Sequence, residues 1–573
     1  MRESSGIDLR AHPAPLRDED EREIKVTATY TPDLAVEEAD SAEDRFAVEW
    51  RRSYGPFWRM DMICLGLVVL LLGATQPLSD ADLPMHLATG EWIIQHGAVP
   101  FTEPFAWTRM GAPYFAYSWA PEVSYYLIMR WIGPLGLHLL QGVILLASAA
   151  GMLFLAREAK WKPWVALGMA ALNVAVAMLV VPALRPQLML FVVVPLAWAF
   201  AYRVLAAPRI AWATLGLLLT STVAANSHLF FVLTAAPIAL VVARPPADHR
   251  RTWAVCGAIV LGWFFSPYGL SWPDVFRLNF GYNALLVAPS PILEFRPGFR
   301  ATTAFVIALP LSLIPWVVSR GMYERRERVV YGALWLAGLV AFAYAGRLLL
   351  CWWLITLPLS ANALAELGRG ASVAAPRHRV RIATYAVAGV LLVTLATTMP
   401  AQWRDEGNID SRSLPGVAST STEPLLTWLQ CTTRPDASGR IYTWFNYGSY
   451  LVWRLPGYST SIDGRTIFPD SVAKAEILVS RHLRHHEDSV WPSADLAIVP
   501  LWFGVASALD SAQGWMRVAS LRRPENPADS VGVWAKRAWW ERASQGDVSG
   551  TPVLLTGEAS DSTGTGCSSE PHR

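Results

Sequence analysis

The sequence predicts a mainly α-helical, polytopic membrane protein with about eleven transmembrane helices and a C-terminal extracytoplasmic α/β domain. Three observations point there. Of the 573 residues 53% are hydrophobic and only 16% charged, where soluble domains carry about a quarter charged residues. Apolar runs recur between residues 62 and 399, near the ~20-residue length that a bilayer core of about 30 Å demands. Beyond residue 400 short β-rich runs alternate with helical ones, the pattern of a small α/β domain. The net charge of +2 says little as a total, because in a membrane protein the placement of Lys and Arg matters more. Nothing in the chain points to nucleic acid.

In chain order, residues 1–55 are polar and mixed in charge, and they lack the apolar core of a signal peptide. Such a segment buries too little apolar surface to fold alone, so a disordered cytoplasmic tail is expected. The transmembrane domain takes 56–400, with candidate spans at 62–78, 135–155, 163–181, 188–205, 210–225, 229–243, 252–267, 302–319, 329–346, 348–366 and 382–399. The fifth and sixth are short, and can form one broken pair meeting at Asn226-Ser227-His228. With the N-terminus inside, the inner loops hold nineteen Lys and Arg against seven outside, the asymmetry of a cytoplasmic N-terminus. An odd number of spans then puts the C-terminal region on the same outer face as the first loop, 79–134.

That loop has structure of its own. Pro84 suits the first turn of a helix, and His96-Gly97 with Pro100 supplies its stop. Leu87, Trp92 and Ile94 give the helix an apolar side for the bilayer surface, and a second helix is expected over roughly 119–132. In the terminal domain, 401–540, the expected strands are Arg440–Thr443, Tyr458–Ile462, Leu496–Pro500, Met516–Ser520 and Ser530–Trp534. Helical runs fall at 423–431, 446–454, 470–485 and 502–513. Residues 541–573 are rich in Gly, Ser and Thr, and a disordered tail is expected. The five cysteines make no zinc spacing, and Cys431 and Cys567 can pair if their region is extracytoplasmic.

Candidate functional residues collect at the outer face. Asp82 stands just before the first-loop helix, where the helix dipole favours a carboxylate. It serves there as a base, as a ligand to a divalent cation (Mg or Mn) shared with Asp80, or simply as a helix cap. His86, one turn on, can orient that base or touch a phosphate. Glu103 and Glu122 either complete an acidic site or satisfy backbone and aromatic partners. Arg185 and Arg347 near the outer ends of spans, with Asn226 and His228 in a polar break, suit an anionic lipid phosphate; snorkelling is the alternative for the arginines. Glu294 lies in another outer loop, and Arg465 in Asp463-Gly464-Arg465 reaches the membrane site or forms a salt bridge within its own domain.

Several of these motifs together resemble a family. D-x-D-L-x-x-H-L-A-T-G-x-W-I at Asp80 to Ile93, H-G-A-V-P-F-T-E-P-F-A-W-T after it, and W-x-x-E at Trp119 to Glu122 are similar to the first outer loop of bacterial GT-C-fold glycosyltransferase-like proteins. Arg185-Pro186-Gln187, Asn226-Ser227-His228, Pro267-Tyr268-Gly269, Ile292-Leu293-Glu294-Phe295, Arg347, Asn446 to Trp453 and Ile462 to Arg465 follow in order, over roughly residues 55–540. The resemblance implies a multi-pass enzyme of the bacterial inner membrane that uses a polyprenyl-phosphate-linked sugar. Its acceptor would be a glycan, lipid or protein. Asp82 would activate the acceptor, and basic groups, Arg347 first, would neutralise the departing phosphate. Two positions depart from the pattern: Pro84-Met85 stands where an aromatic pair is expected, and Glu103 where an Asp is usual. The rival readings are a transporter or lipid-glycan binder using the same cavity, and an inactive relative kept for assembly.

Overall fold

The apolar runs fold as helices through most of the computed structural model, which describes residues 58–281, 314–369, 422–468, 489–522, 530–545 and 553–556 together with positions 48, 51, 52 and 55, and excepting 77, 79, 182 and 466. Contacts divide the chain into Met1–Pro56 and Phe57–Arg573, and the helical bundle and the C-terminal sheet both belong to the second.

Helix α1 is Trp58–Ala74. The first loop carries α2, Leu83–His96, and α3, Trp119–Ile132, within a residue or two of their expected bounds. Gly97 ends α2 in the left-handed conformation at φ 64°, which only glycine adopts without strain. The bundle continues with α4, Pro134–Glu158, and α5, Pro163–Val180, then α6, Leu190–Ala206, and α7, Ala211–Ser227. Next come α8, Ile238–Ala243, α9, His249–Phe264, and α10, Trp272–Gly281. After α11, Ile314–Ser319, and α12, Arg325–Tyr344, the short α13, Leu349–Ile355, precedes α14, Leu357–Arg369.

The expected count of eleven spans is not confirmed. Among the described residues, Pro134–Glu158, Pro163–Val180, Pro186–Ala206 and Arg325–Tyr344 are long and apolar enough to cross a membrane, and Gly346–Ile355 with Leu357–Glu366 makes a fifth only as a span bent by 72°. Helices α1, α7 and α9 stop at 17, 17 and 16 residues. The run at 229–243 is a 3-10 segment followed by six residues of α8. The run at 302–319 is described only from 314, and 382–399 lies outside the described residues. Exposed apolar side chains still mark a membrane protein: Val143, Leu219, Leu336 and Val340 keep 51 to 61% of their surface, a surface that lipid accepts and water does not. Trp131, Trp212 and Trp253, at helix ends, are 75 to 79% exposed, as expected of an interfacial aromatic belt.

The C-terminal region is α/β, as the alternating runs predict. Its six strands are β1 Gly439–Thr443, β2 Tyr458–Thr460, β3 Leu496–Pro500, β4 Trp515–Arg522, β5 Val531–Lys536 and β6 Val553–Thr556. They lie in the order β2-β1-β3-β5-β4-β6, with β1 parallel to β2 and β3, β5 antiparallel to β3 and β4, and β6 parallel to β4. Strand β6 lies past the expected edge at 540, inside the stretch expected to be disordered. Helices α15 Glu423–Thr432, α16 Phe445–Arg454, α17 Gly504–Ser511 and α18 Arg537–Ala543 complete the described part. The expected helix at 470–485 and the Cys431–Cys567 pairing rest on residues outside it.

The first loop joins sheet to bundle. Ala106 bridges Thr460 in parallel at the β2 edge, and Thr460 donates its amide to the Phe105 carbonyl at 3.1 Å. The Trp107 indole and Thr108 hydroxyl donate to the carbonyls of Ile441 and Ser461 at 3.2 and 2.6 Å. Helix α2 also crosses α3 very closely: a Cβ on Gly90 would meet the Glu122 carbonyl at 2.1 Å, so only glycine fits there.

Candidate active site

Asp82 occupies the N-cap position of α2, yet its side chain makes no capping bond. The carboxylate instead borders a cavity of about 260 Å³ and lies 3.5 Å from Arg185 Nη2. The cavity wall also takes His86, Tyr117 and Glu122 from the first loop, Arg185 and Gln187 from the turn before α6, His228, and Arg347. The C-terminal domain closes it with Asn446, Gly464 and Arg465. Arg347 sits on the 3-10 turn Gly346–Leu348 between α12 and α13. The helix break there delivers its side chain to the same wall as Asp82.

Gly464 makes this closure possible. A Cβ there would lie 2.6 Å from Asp82 Oδ1 and 3.0 Å from Ser449 Oγ. The backbone of the α/β domain therefore rests directly against the candidate base.

Asp80 does a different job from the one expected of it. Its side chain is 2% exposed, and its two oxygens accept from Arg185 Nε and Nη2, both at 2.8 Å. A bidentate pair of this kind fixes the guanidinium plane, so Asp80 holds Arg185 in place and does not itself face the cavity. With Asp80 so engaged and Glu122 Oε1 on His86, an Asp82–Asp80 pair is not preformed for a divalent cation. Among the described residues no group of three or more His, Cys, Asp and Glu side chains could hold a metal ion.

His86 Nδ1 is 2.9 Å from Glu122 Oε1. Burial alone would lower its pKa, but the bond and charge of Glu122, reinforced by Asp82 and Asp80, carry it above the ordinary histidine value. The same neighbours favour the protonated form of the His86 ring on the cavity wall. His228 has the opposite setting. Burial first, then the charges of Arg347, His86 and Arg185, push it down to about 3. Its Nδ1 accepts the Phe230 amide at 3.1 Å, which leaves the proton of the neutral ring on Nε2 as a donor.

The remaining expected residues brace the site. Asn226 accepts the Trp119 indole at 2.7 Å and donates to the Thr222 and Phe265 carbonyls, each at 2.8 Å, and it is not on the cavity wall. Glu103 is buried and accepts from the amides of Phe105 and Ala106 and from Arg465 Nη2 at 2.8 to 3.0 Å, so it ties loop to domain. Arg465 both pairs with Asp463, through Nε at 2.8 Å and Nη2 at 2.6 Å, and lines the cavity, with its guanidinium 4.8 Å from the Tyr114 ring centroid. Glu294 lies outside the described residues. Gln187 and Asn446, by contrast, sit in motifs that give them no individual role, and Gly464, which the sequence suits to a tight turn, lines the wall as well; their neighbours in ALRPQ, NYGS and IDGR are the available signal.

Three wall residues carry buried polar atoms with no hydrogen-bond partner among the described residues: Glu122 Oε2, Gln187 Oε1 and Arg465 Nη1. Native interiors rarely leave such atoms unsatisfied without a reason. Two acceptors and one donor around a small cavity match a ligand rich in hydroxyls.

No family model matches the chain, and no curated protein does. Among solved structures, the arabinofuranosyltransferase AftD from Mycobacteria aligns with 83% of this chain at TM-score 0.51 and 16% identity, and the chain spans 41% of that protein's length. The chain has a GT-C-type fold. Two structures of an oligosaccharyltransferase from Archaeoglobus fulgidus align more weakly. One, tethered with an acceptor peptide, has TM-score 0.47 at 10% identity over 81% of this chain and 73% of that one. The other, AglB in complex with an inhibitory peptide and a dolichol-phosphate, has TM-score 0.49 at 12% identity over 86% and 75%. At 16% identity, the GT-C likeness speaks for the architecture, and the chemistry rests on this chain's own cavity.

Proposed function

We propose that this protein is a membrane glycosyltransferase that moves a sugar from a polyprenyl-phosphate donor to an acceptor hydroxyl at the outer face of a bacterial inner membrane. The observation that carries the reading is the sharing of one cavity by a candidate base, Asp82, and two arginines, Arg185 and Arg347, with His86 beside them. The orphaned Glu122 Oε2, Gln187 Oε1 and Arg465 Nη1 would take sugar hydroxyls.

Asp82 accepts the acceptor's hydroxyl proton as its oxygen bonds to the anomeric carbon. The bond from that carbon to the phosphate oxygen breaks, and the lipid phosphate leaves with the electron pair. Arg347 and Arg185 meet the growing charge on that oxygen, with His86 and the His228 Nε2–H as further donors. Fixed donors in a closed site are worth more than in water and need no reorganisation. The acceptor class, whether glycan, lipid or protein, is left to the open side of the cavity.

The test is turnover of a radiolabelled polyprenyl-phosphate sugar by the purified protein in nanodiscs. Arg347→Gln should cut kcat about 10²–10³-fold, as loss of one preorganised donor does, with little change in thermal stability. Full activity in that variant would remove Arg347 from the mechanism. A Mg or Mn requirement, read with EDTA in the same assay, would recast Asp82 as a metal ligand rather than a base.

A further inference from the structure

A second, larger cavity of about 700 Å³ lies at the other end of the bundle. Its wall takes Glu158 at the end of α4, Lys162 just before α5, Tyr202 near the end of α6, and Tyr331 in the second turn of α12. The first cavity lies at the opposite ends of α5, α6 and α12. At 1.5 Å per residue, the 18, 17 and 20 residues of these helices separate the two sites by about the thickness of a bilayer's hydrocarbon core. The second cavity therefore opens at the other membrane surface, and the proposed transfer reaction does not use it.

Its chemistry is divided. Lys160, Lys162 and Arg244 stand at the rim, while Val165, Leu205 and Leu240 line the wall. Both wall carboxylates are engaged: Glu158 accepts from Arg203 at 3.0 Å, and Glu327 pairs with Arg244 and closes the capping box of α12. Neither lysine has a carboxylate partner among the described residues. Lys160 also stands out by its backbone. It is the one described non-glycine residue with positive φ, at 57°, and Trp161 donates its amide back to the Ala156 carbonyl at 2.8 Å. This is the helix-end turn in which glycine normally fills the left-handed position. A lysine there carries backbone strain that glycine would not, and such strain concentrates at ligand clamps.

We propose that this cavity binds the phosphate headgroup of an anionic phospholipid from the leaflet opposite the transfer site, with Lys160 and Lys162 on the phosphate and the apolar wall on the start of the acyl chains. The same phosphate chemistry belongs to soluble anions, and the test separates the two.

Thermal unfolding and native mass spectrometry of the full chain in neutral detergent are compared with phosphatidylglycerol, with phosphatidylcholine and with inorganic phosphate. Phosphatidylglycerol alone should raise Tm by several degrees and give bound adducts. Each lysine removed should weaken it about fivefold, the effect of one cation near a charged headgroup. Lys160→Gly is the discriminating variant: relief of the strained backbone should leave the lipid-free protein at least as stable as wild type, while the phosphatidylglycerol shift shrinks. Lys162→Gln should shrink the shift without the backbone effect. An equal shift with phosphatidylcholine or inorganic phosphate, or an undiminished one in Lys160→Gly and Lys162→Gln, overturns the assignment. Sugar transfer by these variants in detergent should stay at the wild-type rate.

Discussion

Asp82 and His86 lie one turn apart on α2, and their neighbours send them to opposite tasks. The Asp82 side chain is 36% exposed and borders the cavity, where it is suited to accept a proton, whereas Glu122 raises the pKa of His86 and so favours its charged form. The sign of the consequence is fixed. A histidine whose folded pKa stands above its unfolded value adds stability in full below about pH 6.5 and loses it as pH rises through the folded value. The Tm difference between wild type and His86→Gln should therefore be largest in mild acid and shrink in alkali, and a difference that grows with pH contradicts the raised pKa. Asp82 and His86 were legible in the sequence because a helix start is a local signal. The Asp80 and Glu103 roles were not, because their partners, Arg185 and Arg465, lie 105 and 362 positions away.

At the scale of elements, the closure of the site rests on the IDGR turn meeting the start of α2. Gly464→Ala would drive a methyl toward Asp82 Oδ1. Displacement of a catalytic group by about 1 Å can cost about 10²-fold, so transfer should fall by roughly that factor while Tm stays near wild type; normal kinetics would mean the turn yields freely. Tyr268 acts on the same loop from the other side. Its hydroxyl accepts the Ala116 amide and donates to the Pro100 carbonyl, both at 3.0 Å. Tyr268→Phe should destabilise the protein by about 1–3 kcal/mol, the cost of leaving a buried amide unpaired, measurable by denaturant unfolding. The bounds of α2 and α3 could be read from Pro84, Gly97 and the apolar spacing. Span number could not, because hydropathy does not register the 72° bend between α13 and α14, although the short runs on either side of His228 did signal a break there.

For the whole molecule, the recurring apolar runs, the alternating runs past residue 400 and the ordered motifs predict a helical bundle with a C-terminal α/β region, and that architecture holds. Asp82, Arg185 and Arg347, expected from sequence to share a cavity, line one; what sequence could not supply is the approach of Gly464 to Asp82, since the two come from separate elements. The proposed orientation has its own check. A cysteine placed at the exposed His96 should react with a membrane-impermeant maleimide added to intact cells, and one at Lys162 should not; the reverse pattern inverts the topology. The central claim is that Asp82 takes the acceptor's proton, and its most direct measurement separates donor binding from transfer in Asp82→Asn. Binding of the polyprenyl-phosphate sugar should persist within about threefold, an estimate for a base that acts chiefly in the transition state, while transfer falls about 10²–10⁴-fold. Near-normal transfer by folded Asp82→Asn protein would contradict the account.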